Sequence, residues 1–332
     1  MAYITLSRKA FFHNLDIISA KVSDVRKIAL VLKDNAYGHG LLEIATMAQE
    51  YGITKAVVRR NSEAHAIAHL MEYILVLDDM PKEAHDTIVY TINNLAQISK
   101  YPRGCQVELK VDTGMHRNGI AADELDQALE RIEEQGLTCK GVFTHFRSAD
   151  TLSSELFWQQ KQFEMIKERL CDQDFRFHSA NSAGVFRGLT CKEDMVRVGI
   201  AAYGCLQLDS VYDQPDLKPI LSLVAQKQST RLLKALQHVG YNATGKVEED
   251  TLVSTYDVGY ADGLLRRASN RYITPNGSRL LGRISMDNTS FTCQDDELLI
   301  FDNANDFAKE ADTIGYEILT GLPAYLERRI IP

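Results

Sequence analysis

Between residues 28 and 199 the chain alternates short apolar runs with segments whose apolar residues recur at helical spacing. The short runs are IALVLK (28–33), KAVVR (55–59), YILVL (73–77), TIVY (87–90), CQVELKVD (105–112), KGVFTH (140–145), FRFHSA (175–180) and MVRVG (195–199). Runs of this length bounded by polar residues mark strands buried on both faces. Residues 41–52, 62–71, 93–101, 121–136, 154–170 and the short NSAGVF (181–186) read as helices, and PKEAHD (81–86) as a short helix at most. In 121–136, Leu125, Ala128, Leu129 and Ile132 fall on one stripe of a helix. Eight successive βα-like units predict a closed (β/α)8 barrel. By periodicity alone the alternative is an open, doubly wound sheet with extra strands.

After Lys218-Pro219 the pattern changes to β-rich segments, ILSLVAQKQSTRLL, TLVSTYDVGY, RYITPNG, SRLLGRISMDNTSFTC and DELLIF, separated by Gly, Asn and Asp turns. Only 304–312 and 315–321 look helical there. The expected organisation is a barrel over 1–218 and a mostly β domain over 219–332, with the first dozen residues free to join the second domain. A chain of 332 residues is long enough for both cores. The net charge of −8, with no basic run interleaved with aromatics, argues against nucleic acid or a membrane surface as a partner. No apolar stretch approaches eighteen residues. The N-terminus MAYITLSRKAFFHNL lacks a clean apolar h-region, so no export signal is expected. Cys105, Cys139, Cys171, Cys191, Cys205 and Cys293 are scattered without a CxxC, and read as reduced thiols of a cytoplasmic protein. No Cys/His spacing suggests a metal site.

A barrel places its active site at the C-terminal ends of its strands. Those ends carry Lys33 with Tyr37, Lys110 with Asp112 and Arg117, His145 after Thr144, His178 with Asn181 and Ser182, then Arg197 with Gly199 and Ile200. Each alone is unremarkable, since a strand-end lysine is most often a solvated charge. Together, beside glycines that let backbone N–H groups approach a ligand, they suit an anionic planar cofactor. No pair of carboxylates dominates the strand ends, which weakens a glycosidase reading, and GxGxxG is absent, which weakens NAD. Lys33 then reads either as an exposed charge or as a Schiff-base amine. In the second domain, Tyr260 of DVGYADG is a core aromatic or, with cationic neighbours to lower its pKa, an acid/base.

The chain resembles the pyridoxal-phosphate-dependent alanine racemases over nearly its whole length. VLKDNAYGHG (31–40), ELKVDTGMHRNG (108–119), THF (144–146), HSANS (178–182), RVGIAAYG (197–204), GYADG (259–263), GRISMD (282–287) and GYEI (315–318) follow in the order of that family. The resemblance implies a barrel binding pyridoxal 5'-phosphate, a C-terminal β domain, and a homodimer whose active sites use both subunits. It implies that Lys33 is the Schiff-base lysine and one base, and that Tyr260 of the partner subunit is the other. Tyr37, Ser182, Tyr316 and the N–H groups of Gly199 and Ile200 resemble the phosphate cradle, with Asn181 beside them. Arg197 resembles the arginine facing the pyridine nitrogen, and His145 the histidine linking it to the catalytic tyrosine. Arg117 resembles the contact to the cofactor's phenolic oxygen and the substrate carboxylate, and Met286 a backbone donor to that carboxylate. Lys110 matches a lysine carbamylated in some members, and Asp287 part of the access route. The implied activity is interconversion of L- and D-alanine by two bases, supplying D-alanine for peptidoglycan. The alternatives are a serine or broader-specificity racemase, or a non-catalytic cofactor-binding protein.

Four positions depart from the family pattern. Asp34 stands where Ala is common and, in a continuing strand, would face away from Lys33. His116 replaces a usual Gly, adding a ring near the carboxylate region. Arg147 follows THF and reads either as a group near the substrate channel or as a solvated charge on the rim. Val198 stands where Phe is frequent.

Overall fold

A computed structural model describes residues 1–190 and 193–332; Cys191 therefore lies outside the described residues. The first strand, β1 (Tyr3–Ser7), leads directly into the helix Arg8–Val22, which Ser7 caps by accepting the Ala10 N–H at 3.2 Å. Eight parallel strands follow: β2 (Ile28–Val31), β3 (Lys55–Val58), β4 (Tyr73–Val76), β5 (Ile88–Ile92), β6 (Gln106–Lys110), β7 (Thr138–Phe143), β8 (Arg176–His178) and β9 (Val196–Val198). They pair in the order β9-β2-β3-β4-β5-β6-β7-β8. The ring is completed between β8 and β9 by two backbone bonds, Asp194 N–H to Phe177 O (3.0 Å) and Arg197 N–H to Ala180 O (2.9 Å). The expected (β/α)8 barrel is thus the observed one. β2, β4 and β5 are buried along their whole length, as parallel strands covered on both faces are.

Helices Leu41–Tyr51, Asn61–Ile67, Leu125–Glu134 and Glu155–Arg169 wrap the barrel. Residues 81–86 form no helix: six residues beginning with a proline, mostly exposed, cannot offset the cost of nucleating one.

The second sheet is built on the thirteen-residue β10 (Leu221–Leu233). A small hairpin, β11 (His238–Val239) with β12 (Gly245–Lys246), precedes β13 (Thr251–Tyr256), β14 (Leu280–Leu281), β15 (Thr289–Phe291), β16 (Glu297–Phe301) and β17 (Glu327–Ile331). β1 lies antiparallel to β10 and parallel to β17, so the chain's first strand is part of this sheet. RYITPNG forms only an isolated bridge, Ile273 with Arg279, because Pro275 and Gly277 turn the chain. The run 278–293 likewise divides into β14 and β15, leaving 282–288 as a loop. Asn14, fully buried in the first helix, ties that helix to the segment between β9 and β10. Its Nδ2 donates to Ala202 O (3.0 Å) and Lys218 O (2.8 Å), and its Oδ1 accepts from Lys218 N–H (2.8 Å).

Candidate active site

Beyond β2 the chain does not continue as a strand. Asp34, Asn35, Ala36 and Tyr37 all have φ between 52° and 57°, a left-handed turn made without glycine. Each such residue costs about 1–2 kcal/mol, so tertiary contacts must hold the turn. Ala36 N–H donates to Leu32 O (2.8 Å), His39 Nδ1 meets Ala36 O (2.9 Å), and Arg328 Nη2 donates to Gly38 O (2.8 Å). His39 is buried and stacked on Tyr203 at 4.3 Å; burial pushes its pKa down to about 4, so it holds the turn as a neutral ring. At Gly38, φ is +78°, and a Cβ would lie 1.9 Å from Leu319 O. That close approach seats the helix Gly315–Thr320 on the turn and puts the ring of Tyr316 5.8 Å from that of Tyr37.

The turn aims Lys33 into a cavity of about 930 Å3 at the C-terminal mouth of the barrel. The Lys33 amine stands 5.9 Å from the centre of the Tyr37 ring. Tyr37, Ser182, Tyr316, Gly199, Ile200 and Asn181 line one side. There Ser182 Oγ accepts from Gly199 N–H (3.0 Å) and Ala201 N–H (3.3 Å), fixing the turn after β9. Asn181 caps the short helix Ser182–Phe186 through Gly184 N–H (2.9 Å). Burial raises the Tyr316 pKa to about 12 and that of Tyr37 further, so both hydroxyls keep their protons.

Arg197, Lys110, His145 and Arg117 line the other side. Arg197 is buried. Its Nη2 donates to Thr144 O (2.7 Å) and Ser179 O (3.1 Å), and its Nη1 to His178 O (3.2 Å) and to the His178 ring. Burial lowers its pKa to about 10, still a cation at neutral pH. Burial, then Arg117 and Arg197, pull Lys110 down to about 8. Burial and the same surrounding cations push His145 down to about 3, keeping it neutral.

Tyr260, Met286 and Asp287 do not line this cavity. All three are exposed on the β domain, where Tyr260 N–H donates to Ser285 O (3.0 Å) and Ala261 N–H to Met286 O (3.0 Å). The two segments therefore present Tyr260 and Met286 on one patch, with Arg266 5.9 Å from the Tyr260 ring.

The departures resolve individually. Asp34 belongs to the left-handed turn, not to a strand; it lines the cavity and faces Arg59 at 3.6 Å, with Asp78 on the other side of Arg59 at 3.7 Å. His116 has φ +53°, which explains why glycine suits this position; its ring is exposed and paired with Asp112 at 3.3 Å. Arg147 is no free rim charge: it lines the cavity, its Nη1 donates to Gly114 O (2.9 Å) and its Nη2 is paired with Glu155. Val198 is buried away from the cavity.

Two buried polar residues escaped the sequence reading. Gln159 bridges the Arg117 and His145 loops, accepting from Arg147 N–H (3.0 Å) and donating to His145 O (3.3 Å) and Thr113 Oγ1 (3.4 Å). Its place on the stripe Leu156-Gln159-Phe163 was the available signal. Glu108 accepts from His178 Nε2 at 2.7 Å, and its signal was a carboxylate inside the apolar run of β6.

A (β/α)8 barrel whose mouth holds a lysine amine, carrying a β domain beside it, defines a two-domain barrel enzyme with a lysine-centred cavity. Residues 6–207 match the family model for the alanine racemase N-terminal domain, and residues 220–330 the one for the alanine racemase C-terminal domain. The chain is 46% identical to an alanine racemase of Nitratiruptor sp. over 99% of both chains, and 42% identical to one of Campylobacter curvus over the full length of both. It is also similar to the solved alanine racemase of Bacillus anthracis with bound L-Ala-P: TM-score 0.89, 26% identity, 100% of this chain and 95% of that one. The chain belongs to the alanine racemase family.

Proposed function

We propose that the protein interconverts L- and D-alanine with pyridoxal 5'-phosphate, as a cytoplasmic homodimer whose D-alanine is used for peptidoglycan. The observation that carries this reading is a single cavity holding the Lys33 amine and the Arg197 guanidinium, ringed by Tyr37, Ser182 and Tyr316. These residues fit the cofactor. An amine is available for its aldehyde, hydroxyls and the Ile200 N–H for its phosphate, and a cation for the far side of its ring. Gly199 keeps the phosphate side open, since a Cβ there would lie 2.9 Å from the Tyr37 hydroxyl.

The cofactor supplies a carbonyl that condenses with amines and a ring that takes up the electron pair left when the α-proton leaves. Arg197 donates and cannot readily accept a proton, so a ring nitrogen held beside it would stay unprotonated, which would restrain side reactions such as transamination. Lys33 removes or returns the α-proton on one face of the substrate. On the opposite face that task falls to Tyr260 of the partner subunit, with Met286 and Asp287 beside it at the carboxylate and the access route. The exposed Tyr260–Met286 patch supports this sharing, because the cavity's own chain supplies no tyrosine from the GYADG segment. Arg117, on the cavity wall, would meet the substrate carboxylate. Lys110 is the proposed site of carbamylation: its amine would attack CO2, forming an N–C bond and releasing one proton, and the carbamate would pair with Arg117. The pairing of β1 with β10 supports a division near residue 218, with the first strand belonging to the second domain.

Incubation with L-alanine, L-serine and L-lysine, followed by chiral chromatography, tests the reading. D-alanine is the expected product; if no substrate yields its D-enantiomer, the reading falls.

A further inference from the structure

The proposed mechanism leaves one fully buried carboxylate unused. Glu108 lies on β6 two residues before Lys110, so both point into the barrel. On β7 the same alternation turns Gly141 and Phe143 inward, and on β8 Arg176 and His178. Gly141 makes the space: a Cβ there would lie 3.1 Å from Glu108 Oε1 and 2.4 Å from Arg176 O. Both carboxylate oxygens are engaged, Oε1 by Arg176 Nη1 (3.2 Å) and Oε2 by His178 Nε2 (2.7 Å). The His178 ring is stacked on Phe143 at 4.7 Å and 8°, which fixes the plane of the ring.

An ionised carboxylate only accepts, so His178 Nε2 carries the hydrogen and Nδ1 has a free lone pair. That lone pair receives one N–H of Arg197 Nη1. The other three terminal N–H groups of Arg197 go to His178 O, Thr144 O and Ser179 O. Among the described residues none accepts from Arg197 Nε, which remains as the donor available to the cavity.

We propose that Glu108 is a positioning residue: by fixing the Nε2–H tautomer of His178 it locks the Arg197 guanidinium, leaving Nε free for the ring of the cofactor. With the other tautomer, His178 Nδ1–H would confront Arg197 Nη1 donor to donor, and the guanidinium would have to turn. Although burial pushes the Glu108 pKa up, His178 and Arg176 outweigh it and hold the group below its usual value. Burial, partly offset by Glu108, lowers the pKa of His178, in keeping with a neutral ring. The inference rests on the cofactor reading given above.

The test is the 15N spectrum of histidine-labelled protein without cofactor, with His178 assigned through His178→Gln. The wild type should show Nε2 protonated and Nδ1 bare. Glu108→Met, which offers His178 Nε2 no acceptor, should lose this tautomer. In the cofactor-loaded protein, Glu108→Met should shift the visible absorption band and lower kcat about tenfold, a size typical of lost supporting hydrogen bonds. KM for alanine should stay unchanged. A wild-type His178 protonated on Nδ1, or a Glu108→Met protein with wild-type tautomer and kcat, overturns the proposal. The wild-type spectrum decides even if Glu108→Met does not fold. Failure of the wild type to bind pyridoxal phosphate would count instead against the cofactor reading.

Discussion

A methyl group at residue 199 would come within 2.9 Å of the Tyr37 hydroxyl, so Gly199→Ala must displace a ring that is itself packed between Tyr203 and Tyr316. Overpacking of this kind costs about 1–3 kcal/mol. Urea unfolding should report that loss, and a fluorescence titration should show weaker binding of pyridoxal phosphate. Lys110 offers a pH test. With its pKa pulled down to about 8 by burial and by Arg117 and Arg197, the neutral amine that reacts with CO2 grows as pH rises through that value. Protein in 13C-bicarbonate should therefore give a carbamate resonance that is stronger at pH 8.5 than at pH 6.5. Lys110→Ala should abolish it; a signal that survives that change contradicts the assignment.

Among the elements, the left-handed turn 34–37 shows where sequence reasoning stops. The apolar run before Lys33 marks β2, because a parallel strand is buried on both faces and reads as continuous hydrophobics. Nothing local announces that the next four residues adopt positive φ, since neither Ala36 nor Tyr37 favours it and contacts from Arg328 and His39 impose it. The same logic hid Glu108 and Gln159, whose partners lie on other elements. Tyr37, Ser182, Arg197 and Lys110, by contrast, were legible as polar groups at strand ends, and the cavity gathers them. His116 tests the cost of such backbone directly. Its ring is exposed, so His116→Gly should raise stability by about 0.5–1 kcal/mol, the relief of a left-handed residue less the entropy glycine adds. The midpoint of denaturation measures it. Asn14→Ala should do the opposite, leaving two carbonyls and one N–H without their partner at a cost of about 1–3 kcal/mol.

At the scale of the molecule, the barrel brings ten of the predicted residues plus Lys110 to one cavity and leaves Tyr260, Met286 and Asp287 on the surface of the β domain. The order of motifs made the barrel readable, but a single chain's sequence carries no mark of which copy's tyrosine faces which copy's lysine. The most direct measurement is subunit complementation. Lys33→Ala and Tyr260→Phe chains, each carrying its own tag, are produced separately and together, and racemisation is followed in the direction that Tyr260→Phe disables. A site shared across a two-fold interface restores one intact site in each mixed dimer, so random pairing should return about a quarter of the wild-type activity. If the mixture is no more active than the two parents, Lys33 and Tyr260 do not act across the subunits and the two-base account fails.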